Sequence, residues 1–179
     1  WEDTGLPWVP PSPNMPSPET AVVYPGTCFF EGTNISEGRG TTKPFEQFGA
    51  PFIDGSQLAK TLNGLNLPGV GFRPVFFQPT TGKYADEICQ GVQVHVLNRT
   101  VFDPLCTGLE ALATVRRLYP EAFSWRIPQG GIHNFDRLAG TDLIRNALDR
   151  DLPVAELLSS WADELQSFAE IRHRYLAYA

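Results

Sequence analysis

Glu31-Gly-Thr-Asn-Ile-Ser-Glu-Gly-Arg-Gly-Thr-Thr42 gathers three glycines, four hydroxyl side chains, an amide, two carboxylates and one guanidinium around a single apolar residue, Ile35. So polar a run is expected outside the core, as a shaped loop that the flanking segments must hold. Glycines 32, 38 and 40 permit positive φ and close backbone approach, which lets main-chain N–H groups converge on an anion. Arg39 stands between two of them and can offer its planar fork to a carboxylate or phosphate. A solvent-exposed turn cluster is the other reading of the same residues. No Gly-Lys-Ser/Thr follows, so this is not a Walker loop, and it is not Gly-x-Gly-x-x-Gly either.

Working outward, the segment before the loop is a short helix. Ser17 is placed to cap it, Pro18 suits its first position, and Pro25-Gly26 should end it within two turns. Cys28, Phe29 and Phe30 then enter the core. Before Ser17 lies a strap rich in proline (Pro7, Pro10, Pro11, Pro13, Pro16 and Pro18), a density that favours an extended, stiff path. Trp8, Asn14 and Met15 ride on it. After the loop, Thr41 to Ile53 reads as a short edge strand or an ordered loop.

Regular structure is clearest further along. Asp54 caps a helix from about Ser56 to Leu65 with Leu58, Leu62 and Leu65 on one face. Phe72 to Gln78 is a strand that Pro74 confines to an edge, and Val92, Val94 and Val96 alternate in a firmer one. Asp103-Pro104 opens the longest confident helix, with Leu105, Leu109, Leu112 and Val115 on one stripe. A brief strand is expected over Phe123, Trp125 and Ile127, a turn at Gln129-Gly-Gly, and short helices from Asn134. From Pro153, the spacing of Val154, Leu157, Trp161, Leu165, Phe168, Ile171 and Tyr175 predicts one long helix laid along the core. The whole is an α+β domain: a small mixed sheet covered by helices, a proline-rich N-terminal strap and a long C-terminal helix.

At 179 residues the chain can bury a core without a disulfide or metal staple. A formal charge of −6 argues against a nucleic-acid partner, because phosphate backbones demand a dense basic stripe. No apolar run approaches the roughly 20 residues a membrane span requires. Cys28, Cys89 and Cys106 are too far apart for a zinc pattern and read as small buried hydrophobes. His95, His133 and His173 lack metal-ligand spacing. No cofactor and no metal are expected. The first residues include neither an initiator methionine nor a signal peptide, so the chain is expected to begin inside a longer protein.

Three segments together, Leu6-Pro-Trp-Val-Pro-Pro-Ser-Pro-Asn-Met-Pro, Tyr24-Pro-Gly and the loop from Glu31 through Gly40-Thr, resemble the second half of the bacterial peptidoglycan exo-β-N-acetylmuramidase family, long catalogued as a domain of unknown function. Pro44-Phe-Glu, Gly91-Val-Gln-Val-His-Val and Phe135-Asp-Arg-Leu-Ala-Gly-Thr-Asp agree. The resemblance implies a two-lobe enzyme that removes terminal N-acetylmuramic acid from peptidoglycan fragments. A Rossmann-like first lobe would carry the catalytic glutamate. Residues 1–18 would then join that N-terminal lobe, as a partner, to a single C-terminal lobe over 19–179.

Glu31, Glu37 and Glu46 are carboxylates of the right type for glycoside chemistry, but none is assigned a catalytic role. For substrate, a muropeptide or other glycan containing N-acetylmuramic acid, the expected wall is Asn34, Ser36, Glu37, Arg39 and Thr41, with Asn14 of the strap nearby. Arg39 is the expected partner of the lactyl carboxylate. A lobe that only packs against its neighbour, with no ligand contact, is the alternative.

Overall fold

Ser17 and Pro18 begin the first helix as expected. The Ser17 hydroxyl accepts the Thr20 N–H at 3.4 Å, and Pro18 occupies the first turn, where its missing N–H leaves no bond unmade. This helix, α1 (Pro18–Thr27), runs through Pro25 into a single tight turn over Cys28–Gly32 that buries Phe29 and Phe30. The computed structural model describes residues 4–127 and 130–177. Trp1 to Asp3 of the strap and Gln129 of the expected turn lie outside the described residues.

Three strands follow: β1 (Gln47–Ala50), β2 (Val70–Phe77) and β3 (Cys89–Val96), ordered β1-β3-β2. Both pairings are antiparallel, so the sheet is not mixed. The reason lies in the connections. β2 passes directly to β3 through residues 78–88, too short a link for the crossover that a parallel pair needs. Pro74 falls on the edge strand, as its missing donor dictates.

Helices α2 (Gly55–Gly64) and α3 (Pro104–Leu118) start at predicted caps. Asp54 accepts the Ser56 and Gln57 N–H groups, and Asp103 accepts that of Cys106, all at 2.9 Å. Leu58, Leu62, Leu109, Leu112 and Val115 are fully buried against Phe30, Phe48 and Val92. The Phe30 and Phe48 rings stack at 4.2 Å. α1 crosses α3 at two glycines: a Cβ on Gly26 would sit 1.8 Å from the Pro104 carbonyl oxygen, and one on Gly108 would sit 2.4 Å from that of Gly26.

Four further helices complete the α+β architecture: α4 (Asn134–Ala139), α5 (Leu143–Asp149), α6 (Val154–Ser159) and α7 (Ala162–His173). The single long helix expected from Pro153 is therefore broken at Ser160 and Trp161. Val154 is buried, and Leu157 and Trp161 pack at the core edge. Beyond them α7 buries nothing, leaving Leu165, Phe168, Ile171 and Tyr175 exposed. A stripe specifies only that a face is apolar and not what lies opposite it. The strand expected around Trp125 reduces to one bridge, Thr33 to Trp125. Among the described residues no helix is long and apolar enough to cross a membrane.

Candidate functional site

Phe30 and Ile35, both fully buried, draw the polar loop into the body of the protein. Far from lying outside the core, Gly32, Thr33, Ser36, Glu37 and Gly38 are buried with them. Burial is tolerable because the backbone is satisfied internally. Asn34 N–H reaches Ser124 O at 3.0 Å, and Ser36 exchanges two bonds with Gly49, so the loop extends the edge of β1. Gly38 N–H donates to the Ser36 hydroxyl at 3.2 Å, and Thr41 N–H to Gly38 O at 3.2 Å. The Gly38 N–H, one of the groups expected to converge on an anion, is thus turned to Ser36. Gly38 and Gly40 adopt φ of 78° and 77°, as anticipated, while Gly32 instead admits the Phe135 backbone.

What the loop presents outward is side chains. They line an open cleft of about 740 Å³, with Glu31, Asn34, Glu37 and Arg39 from the loop, Lys83 and Tyr84 from the β2–β3 connection, and Ser124 and Arg126 from the segment after α3. Beneath it runs a charge network. The Lys83 ammonium donates to Phe30 O and Ile35 O, each at 2.7 Å, and to Glu37 Oε2 at 3.0 Å. All three of its donors are thus used. Burial pushes the Lys83 pKa below its usual value, opposed by the Glu37 carboxylate.

Arg39 places Nη2 3.1 Å from Glu31 Oε2 and Nε 3.2 Å from Glu37 Oε1. The second contact has ion-pair distance but poor alignment, so Nε makes no hydrogen bond. Its guanidinium carbon lies 5.1 Å from the centre of the Phe45 ring, a cation–π support from below. Phe45 and Tyr84 both hold positive φ, 62° and 56°. For bulky side chains such backbone is costly, and it persists only where the surroundings enforce it.

The six substrate residues expected from the sequence do not share one wall. Asn34, Glu37 and Arg39 line the cleft, yet both ends of the Asn34 amide are tied internally, one donating to Ala122 O at 2.7 Å and the other accepting the Ser124 N–H at 3.0 Å. Ser36 is 1% exposed and faces inward. Thr41 donates to Gly38 O at 2.6 Å and accepts from Gln47 Nε2 at 2.9 Å. With Asn14 it borders a different groove, over the polar face of the sheet beside Arg73, Phe76 and Gln93. Sequence reasoning missed Lys83, Tyr84 and Arg126. They sit in stretches without periodicity, and the turn cluster Thr80-Thr-Gly-Lys83 was the only local signal.

Of the three glutamates, Glu31 and Glu37 flank Arg39. Glu46 lies elsewhere, accepting the Thr20 hydroxyl at 2.7 Å and the Lys43 ammonium at 2.9 Å. No group of three or more His, Cys, Asp or Glu among the described residues is arranged to hold a metal. The three cysteines are free thiols, and burial pushes those of Cys28 and Cys89 up to about 11, which keeps them protonated and inert near neutrality.

Residues 22–178 match the family described as exo-beta-N-acetylmuramidase NamZ, C-terminal. The chain is 48% identical over 178 residues to peptidoglycan beta-N-acetylmuramidase NamZ of Bacillus subtilis (strain 168), covering 99% of this chain and 42% of that protein. Among solved structures, a DUF1343 family protein from Bacteroides fragilis NCTC 9343 superposes with a TM-score of 0.88 at 29% identity, over 99% of this chain and 47% of its own. A second protein of that family and organism, at 24% identity and a TM-score of 0.68 over 94% of this chain and 43% of its own, shares the fold. The chain thus spans less than half the length of these relatives. It belongs to the NamZ C-terminal family.

Proposed function

We propose that this chain is the C-terminal, substrate-binding lobe of an exo-acting glycoside hydrolase that releases terminal N-acetylmuramic acid from peptidoglycan fragments. The cleft above Lys83 and Arg39 is one wall of its sugar site. The activity is that named for the Bacillus subtilis relative, which is 48% identical to this chain over the 42% of its length that the chain covers. The carrying observation is the cleft itself: an open hollow of about 740 Å³ floored by four interlocked charged groups and edged by Tyr84, whose backbone is held in an unfavourable conformation. A buried carboxylate, Glu37, braced by cations that face an opening is a poor device for stability alone, because desolvation offsets most of the attraction.

The chemistry of bond cleavage belongs to a second lobe. Glycoside hydrolysis uses two carboxyl groups at a defined separation with freedom to exchange protons or attack. Glu31 and Glu37 are both locked to cations, which suits them to shaping a site. On this reading the chain is inactive alone and is completed by an N-terminal lobe, reached through the proline strap over residues 1–18.

An interaction lobe without ligand contact is favoured by one observation, that the Asn34, Ser36 and Thr41 side chains all hydrogen-bond within the chain. The two readings separate in an NMR titration of the chain with N-acetylmuramic acid. Sugar binding moves the amide signals of Gly38, Gly40 and Tyr84 with a Kd in the millimolar range, about −4 kcal/mol, as half a site would give. A loop spectrum that stays unchanged at saturating sugar refutes the sugar site.

A further inference from the structure

Three cations line the cleft, and two are already committed. Lys83 spends its three donors on Phe30, Ile35 and Glu37. Arg39 is shared between Glu31 and Glu37 and rests on Phe45. Those two glutamates are the only carboxylates lining the cleft among the described residues. One positive charge therefore remains unbalanced. It belongs to Arg126, whose exposed side chain has no hydrogen bond or ion pair among the described residues.

An exposed arginine is ordinarily just a solvated surface group. Arg126 differs in how its backbone is held. Its N–H donates to Gly32 O at 2.8 Å and its carbonyl accepts the Asn134 N–H at 3.0 Å. The preceding residue, Trp125, bridges to Thr33 and packs its ring 4.9 Å from Phe135 and 5.0 Å from Phe123. In extended chain, alternate side chains point to opposite sides. With Trp125 turned to the core, Ser124 and Arg126 face the cleft. Its charge is close enough to help depress the Lys83 pKa. The result is a guanidinium anchored at its base and free at its tip, at the mouth of a hollow whose other charges cancel. An anion entering there meets a net positive field with no competing carboxylate on the attracting group.

We propose that Arg126, and not Arg39, reads the carboxylate of an acidic sugar in this cleft. For N-acetylmuramic acid that group is the lactyl carboxylate, so Arg126 sets the preference over N-acetylglucosamine, which lacks it. Arg39 is then a positioning residue that holds Glu31 and Glu37 in the floor. This inference rests on the cleft being a sugar site, and its test is built to fail separately from that reading.

The test titrates the chain and its Arg126→Gln and Arg126→Lys variants with N-acetylmuramic acid and with N-acetylglucosamine, at low salt, following amide signals. The unmodified chain is expected to bind the acidic sugar about tenfold more tightly, the scale of one charge-assisted contact. Arg126→Gln should bind both sugars alike, with its N-acetylglucosamine affinity unchanged. Arg126→Lys should retain part of the preference, since it keeps the charge but loses the planar fork. Because the side chain is exposed, the spectrum away from the cleft should not change in either variant. Undiminished preference in Arg126→Gln overturns the proposal and leaves the sugar site standing, as does equal binding of both sugars by the unmodified chain. Absence of any binding by the unmodified chain removes both.

Discussion

Glu37 is the most constrained ionisable group in the cleft, 6% exposed and paired with both Lys83 and Arg39. Glu37→Gln would leave the Lys83 ammonium buried beside two carbonyls without an anion. Removing one member of such a pair costs about 3 kcal/mol, which urea denaturation of the variant should register as a lowered midpoint with an unchanged slope. Arg39 is more exposed, and Arg39→Lys keeps the charge, so its cost in the same experiment should be about 0.5–1 kcal/mol. A loss for Arg39→Lys equal to that for Glu37→Gln would mean that the guanidinium and not the ammonium anchors the network.

The cysteine thiols, of which Cys89 is buried and Cys28 half-buried, predict a pH dependence. Cys28 and Cys89 ionise near 9.0 when unfolded and are pushed up to about 11 by burial. Between these values the unfolded chain has released protons that the folded chain keeps, so stability is full below pH 9 and falls as pH rises through 11. Tyr24, Tyr84 and Tyr119, also raised by burial, act in the same direction, while the lowered Lys83 value opposes them. A Cys28→Ala, Cys89→Ala double variant should lose stability less steeply from pH 8.5 to 10.5 in about the same urea titration. An unaltered slope would assign the alkaline loss to the tyrosines and to Cys106, whose thiol burial also raises.

Among the elements, the α1–α3 crossing is the tightest joint. Gly108→Ala would drive a methyl against the Gly26 backbone, with three atoms of that residue between 2.4 and 2.6 Å. Backbone cannot rotate away as a side chain can, so the helices must part, at a cost of roughly 3 kcal/mol. Gly64, in the last turn of α2, is the control. A Cβ there meets nothing within 4 Å, its φ is not positive, and Gly64→Ala should stabilise by about 0.4–1 kcal/mol. Thermal unfolding of the two variants should move in opposite directions. A fall for both would show that α2 frays through Gly64 in a way its open surroundings do not indicate.

The C-terminal helix raises the question of how the parts make one body. α7 buries no residue, and the core contacts end at Trp161. Deleting the chain beyond Trp161 should therefore shift the unfolding midpoint by less than about 2 °C, the range of surface changes that remove no core contact. A large drop would require α7 to pack on the rest of the chain in solution.

How far the amino-acid order alone could be read follows from distance along the chain. Ser17, Asp54 and Asp103 each satisfy an N–H within three residues, so the starts of α1, α2 and α3 were legible, as was the edge placement demanded by Pro74; of the expected α2 face, Leu58 and Leu62 are buried while Leu65, at the helix end, is exposed. The positive φ of Gly38 and Gly40 was legible for the same reason: backbone sterics are local. The family resemblance also came from contiguous motifs. Lys83, by contrast, meets Glu37 across 46 positions, and Asn34 meets Ser124 across 90. Nothing in either segment's own composition announces its partner. Only packing decided that a polar loop would be buried, that Ser36 would turn inward, that Asn14 and Thr41 would border another groove, and that Arg126 would complete the cleft. The physical reason is that hydrogen bonds and ion pairs between remote segments are made only after the hydrophobic core has closed the chain between them.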